Sequence, residues 1–273
     1  MNFRIAWILA VFTVACFLPA LSHGQMIVAH RGASAEAPEN TMAAFDLAWE
    51  RGADAIEGDF YLTNDHQIVC FHDKTTKRTT GGKTELSIEK STYQELSSLD
   101  VGSWKHAKYQ GEKIPTLKQV LASVPEEKQI FVEIKSGPQI VPYLKTELEN
   151  SGLSANQITL ISFNADVIQQ SRLLMPQYKA NWLTSFKQNK QKTTWSPAPQ
   201  NVLEKLKRIG ATGLGCSAKP DAVTKDFYQL LQQSGFELHV WTVNQPELAQ
   251  YFQNLGVRSI TTDRPAFIRN SIN

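Results

Sequence analysis

Cysteine is scarce in this chain. Three occur in 273 residues, Cys16, Cys70 and Cys216. Cys16 lies in the apolar amino-terminal segment, so at most one disulfide, Cys70 to Cys216, is open to a mature exported chain. Both sit in apolar strand-like runs, and buried free thiols are the expectation. An excess of either charge is also missing: 28 Lys and Arg face 26 Asp and Glu. Nucleic-acid binding normally needs a clustered basic face. The only basic run, SFKQNKQKTT at 185–194, reads as a solvated loop, so no nucleic-acid partner is expected.

Long hydrophobic runs are absent except at the start. MNFR is followed by IAWILAVFTVACFLPAL, 17 residues with Pro19 near the end, shorter than the roughly 20 that span a bilayer comfortably. Small residues Ser22 and Gly24 precede Gln25 at cleavage spacing. The segment reads as a signal peptide over 1–25, with an uncleaved anchor as the alternative. A lipid-attachment role for Cys16 is set aside because the apolar run continues past it. Removing the segment takes away Arg4 and no acid, leaving 27 basic minus 26 acidic residues, a net +1. The expected product is a periplasmic or secreted protein with no stable membrane insertion.

Residues 26–273 alternate short β-rich runs with helical segments, the pattern of βα units around a parallel sheet. The runs lie at 26–30, 54–60, 129–135, 157–163, 178–184, 211–217, 237–243 and 257–263. Amphipathic segments such as NVLEKLKRIG and QPELAQYFQNLG separate most of them, and Thr41 is placed to cap the first helix. Eight such units predict an α/β fold, a TIM (β/α)8 barrel. It carries a β-hairpin extension after strand 2 and a small insertion, about 74–115, before strand 3.

A barrel builds its site at the carboxyl ends of its strands. There stand His30 and Arg31, Glu57 and Asp59, Glu133 and Lys135, with Trp241 near the end of the seventh strand and Asp263 after the eighth. Alternation puts Glu57, Asp59 and Tyr61 on one strand face. A two-residue loop at Asn64-Asp65 sets His72 opposite Glu57, and one at Asp65-His66 sets it opposite Asp59. A three-residue loop sets it opposite Gly58, on the wrong face.

HRG at 30–32, PENT at 38–41, E-x-D at 57–59, HD at 72–73, EIK at 133–135 and TDRP at 262–265 resemble the bacterial-type, exported glycerophosphodiester phosphodiesterases. The resemblance spans nearly the whole chain after the leader. It implies that Glu57, Asp59 and Glu133 hold a divalent metal, that His30 and His72 are general acid and base, and that Arg31 and Lys135 bind phosphate. Three carboxylates with no cysteine or histidine cluster suit a hard cation, Mg²⁺ or Ca²⁺. The expected reaction is hydrolysis of a small-molecule glycerophosphodiester to sn-glycerol 3-phosphate and an alcohol. Attack by the glycerol 2-hydroxyl through a cyclic phosphate is favoured over direct attack by water, with His72 as acid and His30 as base or the two exchanged. The alternatives are a non-catalytic binding protein for phosphorylated glycerol compounds, or a related phosphodiesterase acting on lipid head groups. Trp241 is a candidate substrate-pocket wall or barrel filler, and Glu39 a support for the site or for the turn. Asp263 and Arg264 are expected to close the barrel, and Asp73 to fix the hairpin. His66, His106 and His239 carry no motif and are read as structural.

Overall fold

The computed structural model describes residues 25–191 and 193–272; the signal-peptide reading, up to residue 24, lies outside them. Eleven strands are present among the described residues: β1 Met26–His30, β2 Ala55–Leu62, β3 Ile68–Cys70, β4 Gln129–Ile134, β5 Ile158–Ser162, β6 Lys179–Thr184, β7 Lys187–Gln188, β8 Trp195–Ser196, β9 Gly213–Ser217, β10 Glu237–Trp241 and β11 Ser259–Thr262. The helices are α1 Met42–Glu50, α2 Tyr93–Ser97, α3 Leu117–Ala122, α4 Val141–Glu149, α5 Ala165–Leu174, α6 Pro199–Ile209, α7 Lys225–Gln233, α8 Pro246–Leu255 and α9 Pro265–Ile272.

The sheet order is β1-β11-β10-β9-β6-β5-β4-β2, and β1 also pairs with β2. All these pairings are parallel, so eight strands close a ring, the TIM barrel read from the sequence. Strand alternation then separates two layers. Val28, Ala55, Phe131, Ile161 and Leu183 fill the lumen, while Ile27, Ile56, Phe60 and Val132 turn outward into the layer under the helices. Helix α6 shows how that layer is built: Val202, Leu203, Leu206 and Ile209 are its buried stripe, at helical spacing. Each such side chain stabilises by roughly 1.5–3 kcal/mol when fully buried. Thr41 caps α1 by accepting from Ala44 N at 3.3 Å, and α8 stops at Gly256, whose φ of +89° suits glycine best.

The hairpin takes neither of the two favoured registers. Phe60, Tyr61 and Leu62 pair with Cys70, Val69 and Ile68, the register of a three-residue loop, Asn64-Asp65-His66. His66 supplies the left-handed residue that such loops need, with φ of +61°. The loop is held by Thr63, whose hydroxyl donates to Asp65 Oδ1 at 2.6 Å and accepts from Gln67 N at 2.9 Å. Extended ideally, this register sends His72 to the wrong face. The strand instead ends at Cys70, and Phe71 N makes one last bond to Asp59 O at 2.8 Å. His72 follows that break, where alternation no longer applies, and lines the cavity at the barrel mouth.

The insertion carries its own small core, in which Ile88, Leu96, Val101 and Ile114 pack on Tyr61, Val69 and Phe71 of the hairpin. Its short helix α2 has a capping box: Thr92 Oγ1 accepts from Glu95 N, and the Glu95 carboxylate accepts from Thr92 N. Cys70 and Cys216 are buried and unpaired. No helix among the described residues is long and apolar enough to cross a membrane.

Candidate active site

Register assembles the acidic group. His30 stands beside Glu57 across β1 and β2, and Asp59 stands beside Glu133 across β2 and β4. All four side chains share inward parity with the lumen residues. The carboxylates of Glu57, Asp59 and Glu133 offer ligand atoms that lie within 4.8 Å of one another.

Two cations reach them, Arg31 from the HRG turn and Lys135 from just past the end of β4. Arg31 has φ of +55°, which aims its backbone N–H at Glu57 Oε2, 3.0 Å away. Its guanidinium reaches Glu39 Oε1 at 2.9 Å and lies 3.2 Å from Asp59 Oδ2. Gly32 follows at φ of +79°, where a Cβ would stand 2.5 Å from the backbone of Ala44; glycine is the residue that fits. Lys135 Nζ sits 2.7 Å from Glu133 Oε1 and 3.2 Å from Asp59 Oδ1. Its charge therefore neutralises carboxylates, a role beyond the phosphate contact expected of it.

The three carboxylates are unlike one another. Burial and the neighbouring Asp59 raise Glu57, to about 8. Burial and Asp59 also raise Glu133, against the pull of Lys135. Burial works to raise Asp59 too, but Lys135, Arg31 and His72 outweigh it and its pKa falls. For both raised groups burial is the larger cause and the Asp59 charge adds to it. Glu57 Oε1 is buried with no hydrogen-bond partner among the described residues, which a buried carboxylate oxygen rarely tolerates. An all-oxygen set with an orphan atom fits a divalent hard cation.

Each histidine is locked by a carboxylate. His30 Nδ1 lies 2.7 Å from Asp263 Oδ1, and Asp263 is itself held by Ser34 Oγ at 3.0 Å and Asn244 Nδ2 at 2.5 Å. His72 Nδ1 lies 2.8 Å from Asp73 Oδ1. Both aspartates have depressed pKa values: burial opposes this in each, and hydrogen bonds, to His30 for Asp263 and to Arg78 and His72 for Asp73, outweigh it. As acceptors they fix the Nδ1–H form and leave each Nε2 for chemistry. The histidines differ in balance. Burial pulls His30 down, but Asp263 and Glu57 more than compensate, and its pKa is raised. Burial also pulls His72 down, and there Asp59 does not make up the difference, so its pKa is lowered.

These groups open onto one cavity of about 250 Å³ whose walls include Phe131, Phe163, Leu183 and Trp241. Trp241 meets Phe163 edge to face at 5.5 Å. The structure thus brings together all eight residues singled out in the sequence. Asp263 was expected to close the barrel and Asp73 to fix the hairpin; each instead holds a histidine. Asn40 was overlooked. Its Nδ2 donates to Asp59 Oδ2 at 2.8 Å and its Oδ1 accepts from Asp59 N at 3.2 Å, and an asparagine at a left-handed turn position was the available signal. His239 also reaches the cavity, with Nδ1 hydrogen-bonded to Ser259 at 2.8 Å.

The sequence profile of the Glycerophosphoryl diester phosphodiesterase family matches residues 30–267. The chain belongs to this family. The Bacillus subtilis (strain 168) protein YhdW is 35% identical over 245 residues, 89% of this chain and 96% of its own length. A glycerophosphodiester phosphodiesterase of Caldanaerobacter subterraneus subsp. tengcongensis is 30% identical over 251 residues, covering 90% and 97%. Among solved structures, an Oleispira antarctica phosphodiesterase in complex with the product sn-glycerol-3-phosphate superposes with a TM-score of 0.79 at 27% identity, covering 90% of this chain and 96% of that one.

Proposed function

We propose that this protein hydrolyses glycerophosphodiesters to sn-glycerol 3-phosphate and an alcohol, using one divalent metal and two histidines. The observation that carries the reading is the meeting, at one mouth, of the carboxylate trio with two histidines whose Nδ1 atoms are each tied to an aspartate. Membership of the family and the product bound by the Oleispira relative support it. Glu57, Asp59 and Glu133 would hold Mg²⁺ or Ca²⁺. When bound, the ion would polarise a phosphoryl oxygen and ease deprotonation of the attacking hydroxyl.

Arg31 and Lys135 draw the phosphate toward the carboxylates, and Phe163 and Trp241 wall the organic part of the substrate. The glycerol 2-hydroxyl is the nucleophile, since an internal group enjoys a large proximity advantage over water. As its oxygen bonds to phosphorus, one histidine takes its proton, the bond to the leaving oxygen breaks and the other histidine protonates that oxygen. Water then opens the cyclic phosphate with the roles reversed. Position on the open side favoured His72 as the first donor. The shifts point the other way, with His30 raised by Asp263 and Glu57 against burial and His72 lowered by burial, and the pH profile of kcat decides between the two assignments.

The cationic start and short apolar run of residues 1–25 further support export, with the mature chain acting in the periplasm or outside the cell. The test of function is release of sn-glycerol 3-phosphate from a panel of glycerophosphodiesters, with and without chelator. Metal-dependent release supports the reading; binding without turnover across the panel would replace it with a capture protein.

A further inference from the structure

The insertion meets the site through Arg78. Its Nε donates to Asp73 Oδ2 at 2.7 Å and its Nη2 to Asp73 Oδ1 at 3.2 Å. On its other edge Nη1 and Nη2 donate to the two oxygens of Glu39 at 3.0 and 2.8 Å. Asp73 Oδ1 is also the atom facing His72 Nδ1, and Glu39 Oε1 the atom that accepts from Arg31. The guanidinium lies 5.4 Å from the centroid of the Trp104 ring, farther along the insertion.

We infer that Arg78 is a positioning residue for His72, and that the insertion serves the reaction by delivering it. The contrast between the two histidines carries the argument. His30 ends a barrel strand, and its aspartate is fixed by Ser34 and Asn244. His72 lies past the end of β3 with no ladder to hold it, and its side chain is 34% exposed against 19% for His30. Among the described residues, the hydrogen bonds that fix the Asp73 carboxylate, other than that with His72, come from Arg78. Arg78 does for Asp73 what Ser34 and Asn244 do for Asp263. Glu39, itself tied to Arg31, anchors the guanidinium from behind. A planar fork can hold two carboxylates at fixed angles, whereas a lysine ammonium cannot. Partly exposed ion pairs add little stability, so the effect of Arg78 falls on rate.

The inference rests on the reading that His72 transfers a proton, and a double-mutant cycle separates the two. Arg78→Ala, His72→Ala and the double variant are compared for kcat and KM on glycerophosphocholine, with thermal melting as a check on folding. Arg78→Ala should lower kcat about 10–100-fold, the usual cost of losing a group that orients a site residue, with KM held within about twofold. In the His72→Ala background the same change should cost less than about twofold, because the two act as one unit. Arg78→Lys, which keeps the charge and loses the fork, runs the same cycle should the alanine variant fold poorly. Full multiplication of the two losses, or an effect on KM alone, overturns the inference and leaves the reading of His72 intact. Near-normal turnover by His72→Ala overturns both.

Discussion

His30 Nδ1 and Asp263 Oδ1 lie 2.7 Å apart although 233 positions separate them in the chain. The histidine ends the first strand and the aspartate follows the last, so the proton chemistry depends on closure of the ring. Asp263→Asn keeps the shape and removes the charge that raises the His30 pKa. If His30 is the first donor, activity falls as pH rises through its pKa. The variant should then lose activity at lower pH than the wild type, with a drop of at least about tenfold near neutrality. The pH dependence of kcat checks this; movement of the acidic limb instead would make His30 the base.

Metal binding is readable without turnover. Calorimetric titration with Mg²⁺ and Ca²⁺ should give one site per chain. Glu57→Gln or Asp59→Asn should weaken it by about tenfold or more, since each loses a charged ligand. Unchanged affinity in either variant would remove that residue from the site.

Gly32 should be intolerant of substitution for two separable reasons. Gly32→Ala meets both a left-handed backbone and a 2.5 Å contact with Ala44, together worth roughly 2–5 kcal/mol. Gly52→Ala is the control: its φ is +74° but nothing lies within 4 Å of the added Cβ, so the strain stands alone at about 1–2 kcal/mol. Urea unfolding of both variants measures the difference, and equal losses would refute the clash.

Much of this was legible in the sequence because barrel sites depend on local pattern. The end of β1 at His30 and the shared face of Glu57 and Asp59 follow from runs of β-formers and from alternation. What escaped was non-local or irregular. Asp263 looked like a barrel-closing residue because only ring closure brings it to His30. Parity could not place His72 because the ladder stops two residues before it. Arg78 sits in a stretch without periodicity, and its two partners come from separate loops. The hairpin register turned on His66 accepting a positive φ, a choice that the Asn-Asp pair beside it obscured.

The most direct test of the mechanism uses a glycerophosphodiester whose glycerol 2-hydroxyl is replaced by hydrogen. The nucleophile is then missing, while the phosphate and the leaving alcohol are unchanged. With the wild-type protein and Mg²⁺ or Ca²⁺, the two-step account predicts essentially no release of alcohol. Release at the normal rate would contradict it and assign the attack to water.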